Sequence, residues 1–156
     1  MGNAINTKEQ VDQTVGFAAG AWDLFHAGHV LFLREARKLC GKLVVGLHVN
    51  PASERKSKNK PVQTVYERYL QLNACQYVDS ILPYETEAEL IQILRTQRIN
   101  FRFLGSDYAG VNPEVITGYN ITPIVFIDRN HSYSSSDLRL RVISAQSSPY
   151  YKEVNT

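Results

Sequence analysis

Gly20-Ala21-Trp22-Asp23-Leu24-Phe25-His26-Ala27-Gly28-His29-Val30 places two histidines three positions apart where the hydrophobic period changes. Before it, Val15 to Ala19 is an apolar run of β type. After it, Val30 to Cys40 has helical period, with Val30, Leu33, Arg37 and Cys40 on one face and Arg34, Glu35 and Lys38 opposite. Gly41 is placed to end that helix. The histidines therefore stand where a strand hands over to a helix N-terminus. Free backbone N–H groups and the helix dipole favour an anion there. Two imidazoles at that spot suit stabilisation of a reacting phosphate. A metal site needs more ligands than this pair, and His48, His131, Cys40 and Cys75 stand in separate contexts. A purely structural role, one histidine capping and one packed, is the other plain reading.

Outward from this stretch, strands and helices alternate. Strands are expected over Gly16–Ala19, Leu43–Val49, Val78–Leu82, Asn100–Leu104 and Thr122–Ile127. Several are continuous apolar runs, as in strands covered on both faces. Helices are expected over Val30–Cys40, Thr64–Cys75, Glu87–Gln97, Pro113–Gly118 and Ser135–Ala145, with Pro113 suited to a first helical turn. The alternation predicts an α/β fold: a single Rossmann-like domain, a five-stranded parallel sheet with helices on both faces. Residues 15–145 form that domain, behind a polar extension (1–14, frayed or a short helix) and before a patternless tail (146–156). Ligands in such folds bind beyond the carboxyl ends of the strands. Four loops should share that rim: Gly20–Gly28, Asn50–Gln63, Gly105–Asn112 and Asp128–Ser134.

The 156 residues are one domain's worth, and 44% hydrophobic content supports a real core. Lys and Arg total 17 against 15 Asp and Glu, a net charge of +2. That gives no whole-chain pull toward nucleic acid or membrane. No apolar run approaches a membrane span, and Met1 to Gln13 lacks the apolar stretch of a signal peptide. Cys40 and Cys75, without a C-x-x-C, read as reduced core residues of a cytoplasmic protein.

Three further stretches carry chemistry. Arg129-Asn130-His131-Ser132-Tyr133-Ser134-Ser135-Ser136 puts serines before an apolar-periodic run, the mark of a helix N-terminus. Hydroxyls and amides there can cradle phosphate oxygens, and Arg129 can add a cationic fork. Alone, it is equally a surface helix with a Ser cap. Arg55-Lys56-Ser57-Lys58-Asn59-Lys60 is a solvated basic loop or a flexible closure over a polyphosphate. In Gly105-Ser106-Asp107-Tyr108, glycine permits close ligand approach, and Asp107 accepts a hydrogen bond from substrate or caps the next turn.

In this order, these parts resemble the cytidylyltransferase family of the HxGH nucleotidyltransferases, over about Val15 to Ile143. G-A-W-D-L-F-H-A-G-H is similar to the family's G-x-F-D-x-x-H-x-G-H. Lys56-x-Lys58, Tyr66-Glu67-Arg68 and Tyr77-Val78-Asp79 resemble its K-x-K, Y-E-x-R and Y-V-D segments. R-N-H-S-Y-S-S-S resembles its R-T-x-G-[I/V]-S-T-T. Within the family the likeness is nearest to the glycerol-3-phosphate cytidylyltransferases, with the ethanolamine-phosphate enzymes behind.

The resemblance implies transfer of CMP from CTP to a small phosphorylated alcohol or polyol, glycerol-3-phosphate-like, with release of pyrophosphate. It implies Mg²⁺ carried by the nucleotide phosphates and a homodimer, with no nucleic-acid or membrane partner. It assigns catalysis to His26, His29, Lys58 and Arg129. Nucleotide binding falls to those four with Ala21, Trp22, Gly28, Ser106, Asp107, Asn130, Ser134, Ser135 and Ser136. Acceptor binding falls to Lys56 and Asp23. Departures from the family pattern are Ala21 for Thr or Cys, Trp22 for Phe or Tyr, Asn50 for Asp, Gln76 for Arg, Asn130 for Thr and Ser132 for Gly. His131 stands where the pattern has a variable acid or Gln. Two other readings stay open: an adenylyltransferase on a sugar phosphate or flavin, disfavoured by Arg129, and a nucleotide-binding regulator without turnover, disfavoured by the intact histidine pair.

Overall fold

The computed structural model describes residues 8–146. The expectations for residues 1–7 and for the tail after Gln146 lie outside the described residues. Within them, a short helix α1 (Lys8–Asp12) precedes β1 (Val15–Gly20), α2 (Ala27–Lys38), β2 (Lys42–His48), α3 (Val65–Asn73), β3 (Ser80–Tyr84), α4 (Glu87–Thr96), β4 (Phe101–Gly105), β5 (Ile124–Ile127) and α5 (Ser135–Gln146). The five strands form one parallel sheet in the order β3-β2-β1-β4-β5. The chain winds outward from β1 to β3, then crosses back to place β4 on the other side of β1. The loops after β1 and β4 therefore diverge, and the crevice between them is the switch point at which α/β folds bind ligands.

The uninterrupted apolar run of β2 follows from burial on both faces. Leu43, Val45 and Leu47 pack with Ala18 of β1, Leu33 and Ala36 of α2 and Leu72 of α3. Val44 points the other way and packs with Phe17, Tyr84 and Leu90 and Leu94 of α4. Each fully buried leucine contributes about 1.5–3 kcal/mol relative to exposure. No helix among the described residues is long and apolar enough to cross a membrane.

Several boundaries differ from expectation for identifiable reasons. β3 starts at Ser80, not Val78, because Val78 N–H closes a turn onto Cys75 O and Asp79 bridges to the backbone of Leu43. It carries Pro83, which an edge strand tolerates. Pro113–Gly118 is not an α-helix: a 3₁₀ turn covers Pro113–Val115, and Gly118 takes φ +70°. Gly41 does not end α2 in a left-handed conformation; α2 ends at Lys38, and a Cβ at Gly41 would lie 2.0 Å from Asp12 O. α1 thus packs its end against the turn into β2.

Candidate active site

The N-terminus of α2 is built from the two histidines themselves. His26 is the cap residue, with extended backbone (φ −133°, ψ 172°), and its Nδ1 accepts the Gly28 N–H at 3.0 Å. His29 Nδ1 in turn accepts the His26 N–H at 3.3 Å. This is a capping box with imidazoles in place of a hydroxyl and a carboxylate. Because each Nδ1 accepts, each neutral ring carries its proton on Nε2. Burial, then the adjacent His26 and Arg129, push His29 down to about 3, with Asp23 opposing. Burial, then Arg129, His131 and Arg141, also hold His26 below its ordinary value. Both rings are neutral at pH 7 and both line a cavity of about 550 Å³ over the switch point.

The loop that presents them is held in a costly conformation. Trp22 and Leu24 both have left-handed backbone, φ 55° and 49°. Trp22 is anchored because its ring is buried and its Nε1 donates to Gly46 O at 3.0 Å. Leu24 N–H donates to Gln63 Oε1 at 2.7 Å. Asp23 does not stand free for a substrate. Its carboxylate accepts the N–H groups of Val62 (3.0 Å) and Gln63 (2.9 Å) and the Arg139 guanidinium (2.9 Å). Burial pushes this carboxyl up, but those three donors outweigh it and keep it below the usual range. Asp23 ties the histidine loop to the basic loop and to α5.

The remaining expected residues divide. Ala21, Trp22, Gly28, Lys58, Asp107, Arg129 and Ser134 to Ser136 are brought to the cavity wall with the histidines. Lys56, Ser106 and Asn130 are not on it. Ser106 Oγ instead accepts the Arg129 N–H at 3.2 Å and joins two rim loops. Ser134 is the cap of α5, accepting the Asp137 N–H at 3.0 Å, so the Ser-cap reading holds alongside the pocket position. Ser135 Oγ donates to Asp23 O at 3.2 Å. Arg129 Nη2 donates to Tyr133 O, which fixes the guanidinium across its own loop. Gly105 caps the 3₁₀ turn carrying Asp107 without any side-chain bond, so Asp107 is not a cap there.

Four features of the site escaped sequence reasoning. Arg68, 1% exposed, donates to Gln63 O, Ala21 O, His48 O and Val49 O, joining three rim segments from below. Burial holds its pKa below the ordinary guanidinium value. His131 lies over Gly28, where a Cβ would fall 2.8 Å from its Cε1, and its buried Nδ1 has no partner among the described residues. Arg102, on a buried strand, and Glu87, at the start of α4, also line the cavity. Only the motif likeness of Tyr66-Glu67-Arg68 hinted at the first of these.

Among the described residues no three His, Cys, Asp or Glu side chains cluster as a metal cage. Magnesium is commonly held by one or two carboxylates plus substrate phosphates, and Asp107 and Asp128 are on the wall. That donor set fits an ion brought in on a polyphosphate.

A family model described as cytidylyltransferase-like matches residues 17–141. Ethanolamine-phosphate cytidylyltransferase of Mus musculus is 42% identical over 94 residues, covering 56% of this chain and 23% of that protein. Its Arabidopsis thaliana counterpart is 39% identical over 84 residues, covering 51% and 20%. The bifunctional protein HldE of Campylobacter jejuni is 29% identical over 134 residues, covering 83% and 28%. The chain thus spans between a fifth and just over a quarter of the length of these curated relatives. In fold it is similar to the lipopolysaccharide core biosynthesis protein of Thermoplasma volcanium, with TM-score 0.60, 20% identity, and 78% and 98% of the two chains covered. It is also similar to the pantothenate synthetase of Thermus thermophilus, with TM-score 0.57, 14% identity, and 91% and 64% covered. The family model runs from within β1 into α5, including both histidines and the serine cap, and the chain belongs to the cytidylyltransferase-like family.

Proposed function

We propose that this chain transfers CMP from CTP to a small phosphorylated alcohol or polyol and releases pyrophosphate. A phosphate oxygen of the acceptor attacks the α-phosphorus of CTP. One P–O bond forms while the P–O bond to pyrophosphate breaks, its electron pair leaving with the pyrophosphate. The acceptor phosphate is already anionic at neutral pH, so no strong base is required. Catalysis then rests on positioning and on stabilising charge as it gathers on the α-phosphoryl oxygens.

The observation that carries this reading is the reciprocal cap. It leaves two neutral imidazoles on the cavity wall with their protons on Nε2, at a helix N-terminus. In this proposal His26 and His29 donate to the α-phosphoryl oxygens, and Lys58 and Arg129 neutralise the nucleotide. The first-turn amides of α5 and Ser136 take the β- and γ-phosphates. Mg²⁺ on those phosphates, faced by Asp107 and Asp128, would neutralise the leaving pyrophosphate. The family likeness supports a homodimer, which sedimentation velocity would test.

A pyrophosphate-release screen tests the reading, crossing CTP, ATP, GTP and UTP with phosphorylated alcohols, polyols and sugars. Release with CTP and one acceptor class is expected. Release with ATP alone would favour the adenylyl alternative, and nucleotide binding without release would favour the regulator.

A further inference from the structure

His131 turns inward from an otherwise exposed stretch. Asn130, Ser132 and Tyr133 are exposed, whereas His131 is half-buried and lines the cavity with His26, Gly28 and Arg129. Its ring hangs over the first turn of α2. A Cβ on Gly28 would lie 2.8 Å from His131 Cε1 and 2.9 Å from His26 Cε1, so the two rings flank one point at the cap of α2. The backbone of His131 belongs to the loop that runs into the cap of α5 at Ser134. The side chain thus spans the two helix N-termini of the site, one carrying the histidine pair and the other the serines.

Packing does not explain this placement. The ring stacks on Tyr133 at 5.4 Å, but Tyr133 is itself 45% exposed, so the stack buries little. Nδ1 is shielded from solvent and has no partner among the described residues, which is a cost. Nε2 also makes no hydrogen bond among the described residues, but it is not shielded. Bonded to Cε1, it stands one bond from an atom that overhangs the α2 cap.

The two nitrogens differ in what they can do. A proton on Nδ1 would be a buried donor without an acceptor. A proton on Nε2 is reachable from outside the ring's packing, which gives the same tautomer as in His26 and His29. A donor left without a protein acceptor is met by a ligand atom that only accepts, and a phosphate oxygen is the strongest of these.

We propose that His131 is a third imidazole of the reaction site and donates its Nε2–H to the oxygen that bridges the α- and β-phosphates. This rests on the transferase reading above, in which the α-phosphate sits at the cap of α2 and the β- and γ-phosphates at that of α5. The bridging oxygen lies between them, as His131 does. When the bond from that oxygen to the α-phosphorus breaks, the electron pair stays on the oxygen. His131 stabilises the leaving pyrophosphate by a hydrogen bond and keeps its proton. The family pattern has a variable acid or Gln at this position, so the likeness assigns it no such part.

The test compares wild type with His131→Phe, which keeps a ring beside Tyr133 but has no N–H; thermal melts check folding. Calorimetry with inorganic pyrophosphate and Mg²⁺ should show binding weakened about tenfold, as for losing one charge-assisted hydrogen bond, with CMP binding within about twofold. Single-turnover rates are then measured with CTP and its β,γ-methylene and β,γ-difluoromethylene analogues, using the acceptor that releases pyrophosphate in the screen above. His131→Phe should slow CTP by roughly 10²-fold. The loss should be larger with the methylene analogue and smaller with the more acidic difluoromethylene one. His29→Asn should lose rate equally across the series, because its donor faces the α-phosphoryl oxygens. If His131→Phe fails to fold, His131→Asn, too short to bring a donor to the Nε2 position, takes its place. An equal loss across the series in the His131 variant, or unchanged pyrophosphate affinity, overturns the proposal while leaving the transferase intact. No release with any acceptor overturns the transferase reading and the leaving-group role with it.

Discussion

The ring of His26 lies 3.9 Å from that of His29, centroid to centroid and tilted by only 24°. Phe25 also stacks with His29 at 5.5 Å, and Trp22 meets it edge-on at 5.4 Å. Two imidazoles so close cannot both carry charge, and the aromatic wall removes the water that would solvate a cation. The site is thus a pair of neutral donors.

That pairing should show as acid lability. His29 is pushed down to about 3 in the folded chain, whereas the unfolded chain binds its proton near 6.5. Its stabilising contribution is therefore complete above 6.5 and is lost as pH falls toward 3. Asp23, Glu35 and Glu67 are also held below the ordinary carboxylate range, so they act only at lower pH, and the upper part of the fall, just below 6.5, reports the histidines. The unfolding free energy from urea titrations should be flat from pH 7 to 8 and fall below 6.5, by on the order of 1 kcal/mol per pH unit. His29→Asn should flatten that fall; an unchanged slope would contradict the neutral-pair reading.

The same variant separates catalysis from capping. Asn at position 29 can still accept the His26 N–H but lacks Nε2–H. Turnover of CTP should drop about 10²–10³-fold, the effect of removing one donor to transition-state charge. The KM for CTP should change little. Parallel loss of binding and turnover would assign His29 to the nucleotide's ground state.

Gly28→Ala should uncouple stability from activity. Gly28 is the second residue of α2, where alanine keeps only part of the advantage of about 1 kcal/mol that it has over glycine in a helix interior. The added Cβ would lie 2.8 Å from His131 Cε1 and 2.9 Å from His26 Cε1. The melting temperature should change little, the helix gain offsetting the shift of the rings, while kcat falls because the His26 ring must move. A fully active variant would show that the ring has room to spare.

Arg68 should behave as structural. Arg68→Met leaves four carbonyls at the rim without their donor. A loss of about 3–5 kcal/mol in chemical denaturation is expected, the range for breaking a buried charged network. Arg68→Lys should recover only part of it, since an ammonium cannot fork across carbonyls from three segments. A near-neutral Arg68→Met would mean that the carbonyls find other partners.

The two lysines of the basic loop should differ. Lys58 lines the cavity, whereas Lys56 is exposed and off its wall. Lys58→Ala should raise the KM for CTP about tenfold, the loss of one charge-assisted contact. Lys56→Ala should leave both nucleotide and acceptor KM within about twofold, as for a solvated charge. A raised acceptor KM in Lys56→Ala would restore its assignment to the acceptor phosphate.

Sequence alone determined the strand-to-helix junction at His26 and His29, the buried parallel strands, the serine cap at Ser134 and the shared rim. Each is local: hydrophobic period reports burial, and capping involves residues within one turn. The tertiary structure alone decided which partners Asp23, Arg68, Arg102 and Glu87 meet. Asp23 bonds Arg139, 116 positions away, and Arg55 meets Thr117 across 62 positions. No periodicity encodes such pairs, because they follow from the strand order, which folds distant loops onto one edge of the sheet. Asp23 matched a motif yet is held by Val62, Gln63 and Arg139, and Arg102 interrupts an apolar strand without any local signal. A motif marks which residue type stands where; which partner satisfies its charge is settled only when the chain closes around it.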